Sequence, residues 1–571
     1  MKALRTYLFP IIALTFLLIL NPTVYAAAQT ASGKKHAVVA GHPVATKNGM
    51  MILEQGGNAV DAAVAVSLSL GVVEPYGSGI GGKIIFLYYE AATGKVHSIE
   101  ALGAAPMNTD VKTFTSTPQS KRKYTIHAAA TPGLLAGIHA AHKQYGTLSW
   151  VDVMKPAIKT AADGYIIDAK QHRIYKNAAS RLRKNAAASE LYLIDNNAPP
   201  IGYRMKNPDL AESYISIAQN GIDAFYNGAI TTQFIHSSKK LDGWHSEEDF
   251  HDYQPRIIKP LRIKYKNFDV YSSPPPLIGG ITLALSLRCL DAIKPDWSSI
   301  EPHDPEHMNL LGSVLQEVYS QFAMVTADTP DAYKRTLKLL TSKNVSAMKN
   351  RIKLRMAATN ELFPLSSIKD DETLDDSLQA CTSHFVIVDQ FGNMVSATQS
   401  LGSKFGSAIV IPGTGILLNN SMNNFATRTK SSPNYIEPGK RPRSTMTPTI
   451  MVGQNNFIVG LGAPGGQRIP TAVLQVVTDF INHGITFEEA INLPRFHIRR
   501  NFTRAEKRKF LDIESATPQS YDADMESRSW TIERYKRSAY YFGGVNIGGI
   551  DSNGLRFGVA DDRRTNHAEA E

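Results

Sequence analysis

Cysteine is scarce in this sequence, and long apolar runs are absent after the first residues. Only Cys289 and Cys381 occur among the 571 residues, which excludes a disulfide-dense scaffold and a cysteine-rich zinc site. Beyond the N-terminal run, no stretch is long and apolar enough to predict a membrane-spanning helix. With 43% hydrophobic and 20% charged residues, the chain has the composition of a globular protein with one large core or two.

Signatures of metal and nucleic-acid binding are weak as well. Among the histidines only His303 and His307 stand at ligand spacing, and Pro305 between them disfavours one shared helix face. The formal charge of +10 is modestly basic. The basic stretch 495–509 could attract an anionic polymer, but a solvated surface is the simpler interpretation. We therefore expect neither a bound metal nor a nucleic-acid partner.

The first residues have the pattern of a secretory signal peptide. Lys2 and Arg5 supply a positive start, residues 7–20 are almost wholly apolar, and small residues around Ala26 suit a signal peptidase. The apolar run is too short to span a bilayer comfortably. We predict a signal peptide over residues 1–26 and export to the periplasm, the cell surface or the medium. Retention of the segment as a membrane anchor is the alternative.

Helical spacing of apolar residues covers residues 49–70, with an interruption at Gly56–Asn58. A second helix is predicted to begin near Asn58 or Asp61, since either side chain can cap free backbone amides. Residues 344–379 are charged and without a regular pattern. We expect an exposed, irregular segment there, which suits a processing site just before the strand that follows.

Two β-rich runs after residue 380 predict a hairpin. The runs Cys381–Asp389 and Asn393–Ser400 flank the link Gln390–Gly392. Such a loop pairs positions whose numbers sum to 782, which places Thr382 directly opposite Ser400 with Cβ atoms about 4.5–5.5 Å apart. Two hydroxyl groups then meet at the open end of the hairpin. Taken alone, the pair is more simply an ordinary threonine–serine contact within a sheet.

Glycines mark a strand-to-helix turn further along the chain. Gly462–Gly466 follows a strand predicted over residues 457–461 and precedes a helix predicted over residues 469–481. The backbone N–H groups of such a turn, together with the helix N-terminus, can point at one spot and form an oxyanion hole without side chains. A plain tight turn is the alternative.

Ten short segments match, in order, the motifs of one enzyme family. They are Gly56–Asp61, Val73–Pro75, Ser78–Gly82, Thr131–Gly133, Pro274–Pro276, Thr382–Phe385, Leu417–Asn420, Lys440–Pro442, Met446–Pro448 and Pro464–Gly466. In these segments the chain resembles the γ-glutamyltransferases (glutathione hydrolases), and the resemblance runs from about residue 36 to Asp562. Residues 541–545 and 558–564, with 438–443 and 466–470, are especially similar to the poly-γ-glutamate capsule depolymerase branch.

The resemblance implies an α+β fold, the αββα sandwich of the N-terminal-nucleophile hydrolases, in which two stacked antiparallel sheets lie between helix layers. It also implies that the chain cleaves itself after Cys381. The products would be a large fragment, residues 27–381, and a small fragment, residues 382–571. The two would stay together as a heterodimer in one interwoven globular unit.

The same resemblance assigns the catalytic groups. Thr382 would be the nucleophile, with its own freed α-amine as the base. Ser400 would hold the nucleophile by a hydrogen bond, in place of a second threonine in the family. The backbone amides of Gly465 and Gly466 would bind the oxyanion. The resemblance implies no metal and no organic cofactor.

The family's pocket for the donor's head group is only partly kept. The resemblance places substrate contacts at Asn424, Ser444 and Thr445. Loss of a family arginine removes a carboxylate contact worth about 2–5 kcal/mol, and Arg443 or Arg468 could replace it. The departures are Leu102 for that arginine, Gly402 for an asparagine, Ser421 for a glutamine and Asn424 for an aspartate.

Three functional interpretations follow. The first is an enzyme that cleaves γ-glutamyl amides, of glutathione-like molecules or of poly-γ-glutamate, and passes the acyl group to water or an amine. The second is an acylase that accepts donors without an α-amine, which the aspartate lost at Asn424 favours. The third is a processed or silent exported binding protein.

Overall fold

The structure, a computed structural model, describes residues 27–322, 325–357, 380–499, 509–537 and 540–571. The predicted signal peptide, residues 1–26, lies outside the described residues. Within the described ranges, every helix is too short or too polar to cross a membrane.

The strands divide between two large sheets and three small ones. They are β1 (Gln29–Gly33), β2 (Ala37–Ala40), β3 (Lys83–Glu90), β4 (Lys95–Ala101), β5 (Tyr165–Ile166), β6 (Arg204–Met205), β7 (Arg256–Ile257), β8 (Leu261–Tyr265), β9 (Phe268–Ser272), β10 (Ala380–Val388), β11 (Met394–Ser403), β12 (Val410–Ile411), β13 (Ile416–Leu417), β14 (Thr449–Val452), β15 (Ile458–Gly462), β16 (Phe496–Ile498), β17 (Lys509–Glu514), β18 (Trp530–Tyr535), β19 (Asn546–Ile550), β20 (Arg556–Ala560) and β21 (His567–Ala570).

The α-helices pack outside the large sheets. They are α1 (Pro43–Glu54), α2 (Ala59–Val73), α3 (Val111–Ser116), α4 (Gln119–Arg122), α5 (Leu134–Tyr145), α6 (Trp150–Asp163), α7 (Ala169–Leu182), α8 (Ala186–Tyr192), α9 (Pro208–Asn220), α10 (Asp223–Tyr226), α11 (Ala229–Lys240), α12 (Glu247–His251), α13 (Ile278–Ile293), α14 (Pro305–Phe322), α15 (Ala332–Leu339), α16 (Ser342–Ala357), α17 (Arg468–Thr478), α18 (Phe487–Asn492) and α19 (Asp522–Ser527).

Two seven-stranded antiparallel sheets form the centre of the molecule. Sheet 1 has the strand order β21-β2-β10-β11-β3-β4-β7, and sheet 2 has the order β1-β20-β19-β15-β14-β9-β8. Side chains such as Val386 and Met394 of sheet 1 and Ile450 and Ile458 of sheet 2 pack together between the sheets. Helices α1, α2, α5 and α6 cover the outer face of sheet 1, and α13, α14, α16 and α17 cover that of sheet 2. The predicted αββα sandwich is confirmed.

The predicted pair of helices near the N-terminus is also confirmed. Helix α1 ends at Glu54 and α2 begins at Ala59. The Asn58 side chain accepts hydrogen bonds from the Val60 and Asp61 amides, and the Asp61 carboxylate accepts from the Asn58 amide at 2.9 Å. Both candidate residues therefore take part in one reciprocal cap.

The segment before the central hairpin differs from our expectation. Residues 342–357 form helix α16 rather than an irregular stretch. Val345, Met348 and Ile352 recur at helical spacing and are buried in the core of the sheet-2 side. Their apolar face is obscured in the sequence by the many charged residues between them. The remainder of the expected segment, residues 358–379, lies outside the described residues.

The central hairpin forms as predicted, with β10 and β11 joined by a tight link. Partners from Ser383 with Gln399 to Val388 with Met394 keep the predicted register. The Asp389 carboxylate accepts from the Asn393 amide at the turn and from the Ala59 amide at the start of α2, both at 2.9 Å. One buried carboxylate thus ties the hairpin turn to the helix layer.

A second buried carboxyl group lies where α2 ends. Glu74 accepts hydrogen bonds from the Ser383 hydroxyl at 2.6 Å and from the Tyr76 and Thr565 hydroxyls at 3.2 Å. Burial raises the pKa of Glu74 to about 7, although these hydrogen bonds act in the opposite direction. The folded protein therefore keeps a proton that an unfolded chain releases near pH 4.5.

We predict that Glu74→Gln flattens part of the pH dependence of stability. A raised carboxyl pKa stabilises the fold most below pH 4.5, and this contribution of about 3 kcal/mol is lost as the pH rises through 7. Thermal unfolding should give similar midpoints for the two proteins at pH 5 and a higher midpoint for the variant at pH 8. The exposed Glu488→Gln serves as the control. Equal midpoint differences at both pH values would contradict the prediction.

Candidate active site

The two predicted hydroxyl groups meet at the open end of the hairpin, but across an irregular step. Cys381 faces Gly402 while Ser383 faces Gln399, so β11 carries one extra residue opposite Thr382. This β-bulge breaks the constant register from which we predicted that Thr382 lies directly opposite Ser400. The Thr382 hydroxyl still donates to Ser400 Oγ at 3.1 Å.

Ser400 Oγ is the centre of a short hydrogen-bond chain. It accepts from Thr382 and from the Gly402 amide at 2.9 Å, and it donates to the carbonyl oxygen of Cys381 at 2.8 Å. That carbonyl belongs to the peptide bond between Cys381 and Thr382. The same hydroxyl therefore holds the Thr382 side chain and polarises the carbonyl next to it.

The backbone at Gly402, one of the four expected departures, explains the glycine. Its φ of +97° lies in the left-handed region. A Cβ atom on Gly402 would lie 2.2 Å from Oδ1 of Asn420, which accepts from the Ser403 amide at 2.9 Å. A larger residue at position 402 would therefore displace Asn420.

The glycine turn follows β15 and precedes α17, as predicted. Gly465 and Gly466 have φ values of +135° and +60°, and α17 begins at Arg468. Gly543 packs closely against Gly465: a Cβ atom on Gly465 would lie 3.1 Å from the Cα atom of Gly543. Gly466 lines the same cavity as Thr382 and Ser400. The assignment of both amides to an oxyanion hole remains a prediction.

A small cavity opens in front of Thr382. Its volume is about 60 Å³, several times the roughly 10–15 Å³ of such space that one water needs, and it is partly open to solvent. Hydroxyl and amide side chains form most of its wall, and its charged groups, as far as the chain is described, are two lysines. The lining residues are Lys83, Lys123, Thr382, Ser400, Gly402, Ser403, Asn420, Asn423, Asn424, Ser444, Thr445, Met446, Gly466 and Gln467.

The predicted substrate-binding residues separate into two groups. Asn424, Ser444 and Thr445 line the cavity. Arg443 and Arg468 are buried behind it, with 0% and 1% of their surface exposed. Arg443 Nε donates to the Thr326 carbonyl, and Arg468 Nε donates to the Tyr541 carbonyl at 3.0 Å. Both guanidinium groups are thus turned towards backbone carbonyls, and neither lines the described cavity.

Leu102 and Ser421, the two remaining departures from the family's pattern, also lie away from the cavity. Leu102 is fully buried in an apolar cluster with Ile85, Leu277 and Met446, so its position offers no charged contact. Ser421 is fully buried, and its amide donates to Asn419 Oδ1 at 2.9 Å. Neither residue contributes to the cavity wall as described.

Lys83 is the functional candidate that sequence reasoning missed. It opens β3, pairs with Ser400 across the sheet, and has only 2% of its surface exposed. Burial lowers the pKa of Lys83 to about 8. The available signal was a single lysine at the head of an otherwise apolar strand, directly after the glycine-rich motif Ser78–Gly82.

His303, His307 and Asp479 come within 4.8 Å of one another, although His303 precedes the helix that begins at Pro305. His303 Nδ1 lies 2.6 Å from the Pro494 carbonyl oxygen, and its Nε2 lies 2.8 Å from the Asp479 carboxylate. The three side chains are buried together. That no metal binds the chain stays a prediction.

Comparison with known proteins identifies relatives along nearly the whole chain. A family model described as Gamma-glutamyltranspeptidase matches residues 45–571. The glutathione hydrolase proenzyme of Escherichia coli (strain K12) is 33% identical over 480 residues, 81% of each chain. The acylase ACY 1 proenzyme of Pseudomonas sp. (strain SE83) is 28% identical over 543 residues, 93% of each chain.

A solved structure shares the fold. The cephalosporin acylase from Bacillus halodurans superposes with a TM-score of 0.80 at 23% identity, covering 97% of this chain and 99% of its own. The predicted fold is therefore confirmed. The predicted class of enzyme is confirmed by the family model and by the glutathione hydrolase relatives. Because the family model matches to the last residue and a relative is 33% identical over 81% of the chain, the protein belongs to the γ-glutamyltranspeptidase family.

Proposed function

We propose that the chain is a self-processing γ-glutamyltransferase or hydrolase with Thr382 as its nucleophile. The observation that carries the proposal is the hydrogen-bond chain from Thr382 through Ser400 to the Cys381 carbonyl. It joins a nucleophilic hydroxyl, its hydrogen-bond partner and the carbonyl of the adjacent peptide bond. The family's proenzymes support the same assignment.

Processing begins when Thr382 Oγ attacks the carbonyl carbon of Cys381. The carbonyl oxygen gains negative charge, and the Ser400 hydroxyl, which already donates to that oxygen, stabilises it. Collapse of the intermediate breaks the C–N bond and leaves an ester between Cys381 and the Thr382 side chain. The proton from the hydroxyl passes to the departing nitrogen, which becomes the free α-amine of Thr382. Water then hydrolyses the ester, which releases the Cys381 carboxylate and regenerates the Thr382 hydroxyl.

In turnover the same hydroxyl attacks the carbonyl of a donor amide. The freed α-amine of Thr382 takes the hydroxyl proton, and the proton passes to the leaving amine. We assign the oxyanion to the amides of Gly465 and Gly466. The acyl group then passes from Thr382 to water or to an acceptor amine. Asn424, Ser444 and Thr445 supply polar contacts to the donor from the cavity wall.

Acylase activity on donors without an α-amine is the second candidate. One observation favours it, since the described wall of the cavity contains two lysines but neither aspartate nor glutamate to meet an ammonium group. Asn424, the position of the family's aspartate, is itself bound to the Arg443 carbonyl at 3.1 Å. With the export proposed from residues 1–26, either enzyme acts outside the cytoplasm on amides that reach it there.

We predict that Thr382→Ala leaves the chain uncut. Removal of the hydroxyl removes the attacking atom, whereas Thr382→Ser keeps it and should still be processed. Denaturing electrophoresis of the wild type should show a C-terminal fragment of 190 residues, 382–571. N-terminal sequencing of that fragment should begin at Thr382. A wild-type protein that stays uncut would overturn the proposal.

We predict that Ser400→Ala slows processing by a factor of about 10²–10³, the usual effect of one lost oxyanion donor. Ser400→Thr restores a hydroxyl and should process at a rate near that of the wild type. The measurement is the rate of fragment appearance after the precursor is diluted from denaturant or synthesised in vitro. Wild-type rates in the alanine variant would remove Ser400 from the mechanism.

We predict that the processed protein releases p-nitroaniline from γ-glutamyl-p-nitroanilide. The glutaryl analogue, which lacks only the α-amine, is the matched donor. A larger kcat/KM for the glutaryl donor would establish the second candidate in place of the first. Complete processing without turnover of either donor would favour the exported binding protein, and adding an acceptor amine separates transfer from hydrolysis.

A further inference from the structure

A buried ammonium group lies beside the proposed nucleophile. Lys83 pairs with Ser400 in the antiparallel contact of β3 with β11. Directly opposite residues project from the same face of a sheet, with Cβ atoms about 4.5–5.5 Å apart. Lys83, Ser400 and Thr382 therefore stand on three adjacent strands and line one cavity.

Among the described residues, this ammonium group has no counterion. The Lys83 side chain makes no hydrogen bond or ion pair with any of them, and only 2% of the residue's surface is exposed. An unpaired buried charge costs several kcal/mol, so such residues are kept where a ligand compensates the charge or chemistry needs it. Its pKa of about 8 leaves the amine protonated at neutral pH. The cavity therefore presents a desolvated positive charge to whatever enters.

Leu102, which the resemblance places at the position of the family's arginine, cannot bind a carboxylate. Leu102 packs with Ile85, Leu277 and Met446, and Met446 also forms part of the cavity wall. The Leu102 position therefore presents no cation to a carboxylate that enters in front of Thr382. Two lysines line the described cavity: Lys83 is buried on sheet 1, whereas Lys123 is only half-buried and lies 5.4 Å from the centre of the Tyr124 ring.

We propose that Lys83 binds the carboxylate of the acyl donor and so replaces the missing arginine from a different strand. The donors selected in this way are amides of dicarboxylic acids, in which a carboxylate ends a short acyl chain. The inference rests on the proposed function for the identity of the reaction, but not for the binding of the anion itself.

The kinetic test compares two donors that differ only at the end of the chain. Glutaryl-p-nitroanilide carries a carboxylate, and pentanoyl-p-nitroanilide carries a methyl group. We expect the processed wild type to prefer the glutaryl donor in kcat/KM by at least about tenfold. Lys83→Met should lose this preference through a higher KM for the glutaryl donor, with the pentanoyl reaction within about threefold of wild type. Lys95→Met, an exposed lysine of β4, should behave as the wild type.

A binding test needs no turnover. Glutarate should raise the unfolding temperature of the processed wild type at pH 7 and should not do so for Lys83→Met. If neither donor is cleaved but this difference is seen, the proposed function fails and the anion site stands. If both donors are cleaved and both proteins respond equally to glutarate, the proposed function stands and the anion site is overturned.

A role of Lys83 in proton transfer to Thr382 would give a different pattern. Lys83→Met would then lower kcat for both donors equally and would slow self-cleavage, which overturns the proposal. Lys83→Gln provides a second neutral side chain in case the methionine variant does not fold. Lys83→Arg keeps the positive charge and should retain the preference for the glutaryl donor. If the arginine variant lost that preference but still bound glutarate normally, the proposed recognition of the donor's carboxylate would also be contradicted.

Discussion

The pairing of β10 with β11 governs the geometry of the whole site. Because β11 has one extra residue opposite Thr382, the Ser400 hydroxyl reaches the Thr382 hydroxyl, the Gly402 amide and the Cys381 carbonyl at once. A regular ladder would pair the two hydroxyls but would leave that carbonyl engaged in ordinary strand hydrogen bonding. Strand β3 flanks this irregular end through the pair of Lys83 with Ser400, whereas β2 pairs with β10 only at Val386–Val388, near the turn.

Much of this arrangement is predictable from local sequence. The cap at Asn58, the hairpin register below the bulge and the glycine turn before α17 each depend on neighbouring residues, and each agrees with its pattern. The β-bulge opposite Thr382 could not be predicted in this way, because nothing in a run of β-forming residues indicates where one extra residue is inserted. Helix α16 was missed for a related reason, since its three apolar residues are separated by many charged ones.

Side-chain direction is the part of the site that sequence reasoning could not supply. Arg443 and Arg468 looked like replacements for the missing arginine, yet both guanidinium groups bind backbone carbonyls inside the protein. Lys83 attracted no attention in an apolar strand, and only the contact between β3 and β11 brings it beside Ser400. The charge of the cavity thus depends on which strands pair across the sheet. The order of residue types along the chain does not reveal that pairing.

The strand order of the two sheets has a consequence for how the protein folds before and after cleavage. Strand β2 precedes the scissile bond in the chain, and its two neighbours, β10 and β21, follow it. In sheet 2, β1 is likewise joined to β20, and β9 to β14. The proposed cut after Cys381 would therefore leave two polypeptides that cannot separate without disrupting both sheets. Refolding would then change from a reaction of one chain to an encounter of two, so its yield would depend on concentration. The cut would make folding a step that the protein completes once, before it becomes active.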